Sequence, residues 1–176
     1  WNEYKVKYEN IYKILNIDDN FIDILKQLPK KIDICRPLCL IHGDRHKNNM
    51  IKKNGKIYFI DWELSCIGDL AYDIAFHIHQ MKYCNSDLNY FIKQLEIRLP
   101  NQFKSAISDV ITYMKFITAR SVIYYVKIIN DCSYSDELFE KFYFRLKTLN
   151  EYKEFCIYSY DKQNLKNLLK KEKNVL

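Results

Sequence analysis

Asn54-Gly55 is the strongest local constraint in this chain of 176 residues. Asn and Gly both tolerate positive φ, so the pair favours the two-residue type I′ turn, whose twist matches that of paired strands. It stands between Met50-Ile51-Lys52-Lys53 and Lys56-Ile57-Tyr58-Phe59-Ile60. The spacing predicts a hairpin. A hairpin brings its outer ends together, so Asn49, before the first strand, and Asp61, after the second, must be near neighbours.

Outside the hairpin the apolar residues recur mostly at helical spacing. Tyr4, Tyr8, Ile11, Tyr12 and Leu15 predict a helix over 3–15. Phe21, Ile24, Leu25 and Leu28 predict a second, with Asn20 as candidate N-cap and Pro29 as its end. The apolar run from Pro37 to Ile41 reads as a buried strand or extended segment. Asp69 is placed to cap a helix running to about Lys82, and Ser86 one running to about Leu99. Further helices are predicted from Phe103 to about Ile129 and from Ser135 to about Leu149. Asn150 and Asp161 are candidate caps for the last two, and Leu165, Leu168 and Leu169 give the final helix an apolar face. No internal repeat or low-complexity linker divides the chain. We expect a single domain over 1–176 of α+β class, mostly α-helical, with one hairpin and a short strand.

Composition removes several function classes. There are three glycines, Gly43, Gly55 and Gly68, where average usage would supply about twelve. They lie too far apart for a glycine-rich phosphate loop. The net charge is +6, and Lys162, Lys166, Lys170, Lys171 and Lys173 cluster near the end. With no aromatic-plus-basic stripe beside them they read as solvated surface, and no nucleic-acid partner is expected. Cys35, Cys39, Cys66, Cys84, Cys132 and Cys156 form no C-x-x-C pair, so no zinc site is expected, and most of them read as small core residues. The longest uncharged stretch, Ile74 to Met81, is too short to span a bilayer, which needs ~20 apolar residues. A reduced, cytoplasmic setting without a membrane partner is expected.

The chemistry-bearing residues concentrate between 42 and 73. They read His42-Gly43-Asp44-Arg45-His46-Lys47-Asn48-Asn49, then the hairpin, then Asp61-Trp62-Glu63, then Gly68-Asp69-Leu70-Ala71-Tyr72-Asp73-Ile74-Ala75. The apolar run 38–41 delivers Asp44 into a loop, and the hairpin sets Asn49 beside Asp61. Two oxygen-bearing side chains with a third carboxylate at hand suit Mg²⁺, which takes few protein oxygens plus phosphate. Asp44 is left as a base or orienting group at the same spot. These are the parts phosphoryl transfer requires.

The three motifs resemble the catalytic core of the aminoglycoside phosphotransferase and choline kinase superfamily, which shares the protein-kinase fold. The family pattern is H-G-D-x-x-x-x-N, a hairpin, I-D-[WF]-E and G-D-x-x-[YW]-D-[IL]-A. This chain reads H-G-D-R-H-K-N-N, F-I-D-W-E and G-D-L-A-Y-D-I-A. The resemblance implies that Asp44 is the catalytic base and that Asn49 and Asp61 hold Mg²⁺ and, through it, the nucleotide. It implies that His42 braces the loop and that His46 lies near the transferred phosphate. Asp73 would hydrogen-bond back to the loop; Asp69 would do the same or simply cap its helix. Arg45 or Lys47 would either add positive charge at the phosphate or remain solvated loop residues. Gly43 stands where protein kinases carry Arg, and nothing like A-P-E follows Asp61, so the resemblance implies a small-molecule kinase.

The fold implied is the C-terminal lobe of a protein-kinase-like enzyme, with the hairpin at the catalytic loop. Only 41 residues precede His42, and they contain no Gly. The nucleotide-binding N-terminal lobe is therefore expected outside this chain, as a missing partner, and the chain, which opens on Trp1, is expected to come from a longer enzyme. The implied reaction is Mg²⁺-dependent transfer of the γ-phosphoryl group of ATP or GTP to a hydroxyl of a small acceptor. An aminoglycoside antibiotic, hence antibiotic resistance, is the first expectation, and Glu96, Asp109, Asp131, Asp136, Glu137, Glu140 and Glu154 are the candidate acidic lining for such a polycation. The alternatives are a choline, ethanolamine, thiamine or sugar kinase, or a truncated lobe kept for binding. His77 and His79 read as packed or surface residues, Glu63 as a salt-bridge partner or a neighbour of the metal, and Arg120 as the partner of a buried carboxylate. Tyr113, Tyr124, Tyr125, Tyr143, Tyr158 and Tyr160 read chiefly as core.

Overall fold

The Asn54-Gly55 pair adopts the left-handed conformation the turn demands, with φ of 52° and 73°. In a computed structural model, residues 8–32, 35–83, 85–131, 134–153, 155 and 161–173 are described. The chain falls into two compact units. One is Leu28–Ile117; the other draws on the chain up to Gln27 and from Thr118 onward.

The unit Leu28–Ile117 holds all the strands among the described residues. It contains β1 (Cys39–Ile41), β2 (Met50–Lys53), β3 (Lys56–Phe59) and β4 (Cys66–Gly68). β2 and β3 form the predicted hairpin, with Met50 opposite Phe59 and Lys53 opposite Lys56. β1 pairs antiparallel with β4, Leu40 facing Ile67 and Ile41 facing Cys66. β4 was not expected. Its three residues are too few to show a period, and its partner lies far upstream, so only tertiary pairing reveals it. A two-stranded sheet buries one face. Hence Ile41 is buried while Leu38 and Leu40, expected in a buried strand, are exposed.

Three helices complete this unit in whole or part. Among the described residues the helices are α1 (Glu9–Ile14), α2 (Asp19–Gln27), α3 (Leu70–Met81), α4 (Asn85–Arg98), α5 (Ala106–Asp131), α6 (Asp136–Asn150) and α7 (Lys162–Lys173). Asp69 caps α3 as predicted, its side chain accepting from the Ala71 amide at 3.0 Å. α3 ends on Lys82 in the left-handed conformation. Ala71, Ile74, Ala75 and Ile78 form one buried stripe of α3 at the i, i+3, i+4 spacing of a helix face, and they cluster with Ala106, Val110 and Ile117 of α5. Ser86, predicted as a cap, lies inside α4. A 3₁₀ turn over Asn101–Phe103 precedes α5, which starts at Ala106 rather than Phe103.

The other unit has helices and connecting turns, and no strand, among its described residues. The helix predicted over 3–15 is described from Glu9 to Ile14, the part before Tyr8 lying outside the described residues. Asp18, not Asn20, caps α2: its carboxylate accepts from the Phe21 amide at 2.8 Å. Asp18 stands just before the first helical residue, where its carboxylate reaches the Phe21 amide, while Asn20 is already inside the helix. Ser135 caps α6 and Asp161 caps α7. Asn150 is the last residue of α6 and not a cap; the stretch that would follow it as a helix lies largely outside the described residues. Phe139, Phe142, Leu146 and Leu149 of α6 are buried, as are Leu165 and Leu169 of α7. The terminal lysines are engaged along α6. Lys162 pairs with Glu140 at 2.7 Å and Lys166 with Asp136 at 2.9 Å, and Lys162, Lys166 and Lys170 lie over the rings of Tyr143, Phe139 and Tyr134.

The chain is thus mostly helical with two small two-stranded sheets, as the α+β reading expected, and is compatible with a kinase-like lobe. The cysteine expectation needs correction: Cys35 and Cys66 are exposed and Cys39 half-buried, because they flank or lie on a sheet with one open face. Cys84, Cys132 and Cys156 lie outside the described residues. Arg120, expected beside a buried carboxylate, is on the exposed side of α5. No described helix is long and apolar enough to cross a membrane.

Candidate active site

β1 ends at Ile41 and the chain turns at once into a loop over 42–49. His42 is buried at its start. Its Nε2 donates to the Ile60 carbonyl at 2.9 Å, and its Nδ1 accepts from the Asp44 amide at 3.3 Å. These bonds fit the tautomer with the proton on Nε2. The ring packs against Trp62, 4.7 Å between centroids, and Phe59, at 5.8 Å. His42 thereby ties the loop to the far end of the hairpin.

Gly43 allows the turn. Its φ is +80°, and a Cβ there would stand 2.5 Å from the Leu64 carbonyl oxygen. A side chain is thus refused by both backbone conformation and space. The Gly43 amide instead donates to Asp73 Oδ1 at 2.9 Å, and the His42 amide to Asp73 Oδ2 at 3.3 Å. Asp73 is buried in the first turn of α3, where the helix dipole favours a carboxylate. The loop's first two amides are therefore held from behind by α3.

Asp44 is half-buried. Its carboxylate Oδ2 lies 3.2 Å from Asn49 Nδ2 and 3.3 Å from His46 Nε2. Asn49 Nδ2 also donates to the Asp44 carbonyl at 3.0 Å. Asn49 is buried, and a 3₁₀ turn over Lys47–Asn49 carries it back toward Asp44. With its N–H groups turned to Asp44, the Asn49 side-chain oxygen is left as an acceptor. The Asn49 carbonyl accepts from the Ile60 amide at 3.0 Å, one rung beyond the hairpin ladder, which leaves Asp61 next along the opposite strand. Asp61 is exposed and has φ of 63°. A left-handed conformation costs a non-glycine residue about 1–2 kcal/mol, and such strain concentrates at functional positions. An amide oxygen and a carboxylate are hard donors that fit Mg²⁺, which keeps most of its sites for water and phosphate. Among the described residues no group of three or more His, Cys, Asp or Glu side chains converges.

The remaining predicted residues separate. His46 Nδ1 is buried with no hydrogen-bond partner among the described residues. Arg45 turns away from the Asp44 carboxylate: its guanidinium lies 4.2 Å over the Phe59 ring and 3.5 Å from Asp73 Oδ2. Lys47 and Glu63 are exposed. Asp69 does not bond to the loop. One of its oxygens accepts from Arg36 Nε at 2.8 Å and the Ala71 amide at 3.0 Å; the other accepts from Arg36 Nη2 at 2.5 Å and the Tyr113 hydroxyl at 2.9 Å. Helix capping, the Arg36 fork and the Tyr113 hydroxyl together use its full acceptor capacity, so of the two aspartates expected to support the loop only Asp73 touches it. Burial alone would push the Asp69 carboxyl up, but Arg36, the Ala71 amide and Tyr113 together hold it below the usual carboxylate range. Burial and the Asp69 bond push the Tyr113 phenol up.

Arg36 was overlooked in the sequence. Its side chain is 2% exposed, and its Nη1 also donates to Asp109 at 2.7 Å. One signal was available: Arg36 directly precedes the uncharged run Pro37–Gly43, and a charge entering a buried run requires carboxylate partners.

Comparison with known proteins bears on the same residues. The pattern of the phosphotransferase enzyme family matches residues 2–104. The chain belongs to that family. The match contains the whole loop, the hairpin, Asp61, Asp69 and Asp73, and it agrees with the resemblance drawn from the three motifs. Two LicA homologues are also similar. One, from Metamycoplasma hominis, is 35% identical over 78 residues, 44% of this chain and 30% of the relative. The other, from Mycoplasma capricolum, is 32% identical over 75 residues, 43% of this chain and 30% of the relative. In both, the match spans 30% of the relative's own length. No solved structure matches the chain.

Proposed function

We propose that this chain carries the catalytic loop of a small-molecule kinase, which moves the γ-phosphoryl group of ATP or GTP to a hydroxyl of a small acceptor. One observation carries the reading. The Asp44 carboxylate is held by Asn49 and His46 in a loop braced by His42 and Asp73, while Asn49 keeps its side-chain oxygen free of Asp44. In the proposed reaction Asp44 takes the acceptor's hydroxyl proton. The acceptor oxygen bonds to the γ-phosphorus as the bond to the β,γ-bridging oxygen breaks, and a nucleoside diphosphate leaves. Asn49 and Asp61 would hold Mg²⁺. When bound, the ion neutralises charge on the phosphates. His46, 3.3 Å from Asp44 Oδ2, orients that carboxylate. The adenine- or guanine-binding lobe is proposed to lie outside this chain, and the enzyme to work in the cytoplasm.

The acceptor is the finer question. An aminoglycoside is a polycation and calls for acidic side chains around its pocket. Of the six candidates that are described, five are already engaged: Asp109 by Arg36, Asp131 by Tyr8, Asp136 by Lys166, Glu137 by Lys141 and Glu140 by Lys162. Glu96 lines an open groove with Ile78, Leu88, Ile92, Val110 and Met114. Glu154 is outside the described residues. This favours the second reading, an acceptor of low charge such as choline, ethanolamine, thiamine or a sugar, over an antibiotic.

The test is nucleoside-diphosphate release by the full-length protein that contains this chain, with Mg²⁺ and ATP or GTP. Aminoglycosides, choline, ethanolamine, thiamine and simple sugars are offered in parallel, with Asp44→Asn as control. Release that depends on one acceptor and collapses in Asp44→Asn supports the reading and names the acceptor. Release no greater than the control's with every acceptor would leave a lobe kept for binding and sink the kinase proposal.

A further inference from the structure

Arg36 and His42 stand on either side of β1, and both are tied to the same turn of α3. Before the strand, the Arg36 fork grips Asp69, the residue that caps α3. After the strand, the amides of His42 and Gly43 are held by Asp73, one helical turn further on. β4 pairs with β1 and runs directly into Asp69. One strand is thus pinned at both ends to one helical turn, and the loop bearing Asp44 hangs from its second pin.

We propose that Arg36 is a positioning residue for this loop. It acts through Asp69, which sets where α3 begins and hence where Asp73 presents its carboxylate to the His42 and Gly43 amides. Arg36 itself bonds to Asp69 and Asp109 and to neither Asp44 nor Asn49.

The construction of the network supports a geometric role. Arg36 offers Nε and Nη2 to the two oxygens of Asp69 in a planar fork, a grip lysine cannot reproduce. Its remaining arm, Nη1, reaches Asp109 on α5 at 2.7 Å, and Tyr113, one turn along α5, completes Asp69. The cap of α3 is therefore fixed to the segment before β1 and to α5 at once. Two carboxylates and a hydroxyl around one buried guanidinium leave that group little freedom to shift. Small displacements at a reacting group are expensive in rate, with about 1 Å costing on the order of 100-fold. A brace behind the loop is therefore expected to matter for turnover and not for substrate affinity.

The consequence for turnover rests on the kinase reading above; the structural part does not. The experiment accordingly has two readouts on the full-length protein, with Arg36→Lys and the milder Tyr113→Phe. The first is amide hydrogen exchange. In folded Arg36→Lys, exchange at the His42 and Gly43 amides speeds up about tenfold or more, since one buried grip is lost, while the β2–β3 hairpin amides keep their protection. Tyr113→Phe moves the same amides in the same direction by less. The second readout is kinetic: kcat falls about tenfold or more with KM for nucleotide and acceptor within about twofold, the signature of lost transition-state geometry. Unchanged exchange at 42 and 43 in either folded variant overturns the proposal, as does a uniform rise across all amides of the unit, which marks plain destabilisation. Should Arg36→Lys fail to fold, Tyr113→Phe decides by the same criterion. A wild-type protein without turnover sinks the kinase reading, and the exchange result still decides the role of Arg36.

Discussion

Asn49 Nδ2 donates to the carboxylate of Asp44 at 3.2 Å and to its carbonyl at 3.0 Å, which leaves the side-chain oxygen as an acceptor. On the proposed kinase reading the side chain has two separable duties: it orients Asp44, and its oxygen would serve Mg²⁺ together with Asp61. Asn49→Ala removes both, so turnover should fall on the order of 100-fold, and the Mg²⁺ concentration needed for half-maximal rate should rise. Asn49→Asp restores an oxygen but not the donor. It should recover the Mg²⁺ requirement while turnover stays low. Steady-state rates across a Mg²⁺ titration separate the two; equal Mg²⁺ requirements in all three proteins would show that Asn49 is no ligand.

Two glycines with positive φ offer a controlled comparison. At Gly55 a Cβ meets nothing within 4 Å, so Gly55→Ala carries only the cost of a left-handed backbone, about 1–2 kcal/mol. At Gly43 the same substitution also drives a methyl against the Leu64 backbone. Gly43→Ala should cost about 3 kcal/mol or more once strain and displaced backbone are added. Urea denaturation of both variants tests this, and equal costs would refute the close approach of Gly43 to Leu64.

Asp73 is buried and holds two backbone amides and, at 3.5 Å, Arg45. Asp73→Ala should destabilise by about 2–4 kcal/mol, because it orphans the amides and leaves the half-buried Arg45 without its partner. Asp73→Asn keeps one oxygen for the Gly43 amide and should cost about half as much. Chemical denaturation at neutral pH measures both. An Asn variant as damaged as Ala would mean that charge, rather than the acceptor atom, holds the loop.

Stability should fall in acid in two steps. Burial holds the His77 ring below its ordinary range, so the folded protein resists protonating it. The unfolded chain binds that proton first, and stability drops as pH falls below about 6.5. Asp69 is also held below its ordinary range in the fold, so its contribution is present above about pH 4 and is lost as pH falls further through the folded value. Denaturation midpoints from pH 8 to pH 3 should therefore fall in two limbs, one below about pH 6.5 and one below about pH 4. Asp69→Asn should flatten the second alone, and His77→Phe the first alone. Unaltered acid limbs in these variants would remove both groups from the pH dependence.

The loop, the hairpin and the capped helix behind them were legible in the sequence because each rests on local chemistry. Asn54-Gly55 dictates its turn wherever it stands, Asp69 can cap α3 from within its own segment, and the hairpin carries Asn49 to Ile60 and Asp61 with no help from the rest of the chain. The i, i+3, i+4 spacing of Ala71, Ile74, Ala75 and Ile78 likewise announces the buried face of α3. What only the tertiary structure decided are the partnerships between residues distant in sequence. β4 exists because β1 offers it an edge. Arg45 faces Asp73 and Phe59 rather than the Asp44 carboxylate because those groups converge behind the loop. Asp69 turns from the loop to Arg36 because a buried guanidinium claims the nearest carboxylate. The physical reason is common to all three: a turn or a cap is selected by energies within a few residues, whereas a buried charge or a strand edge takes whichever complementary group the packed chain brings to it.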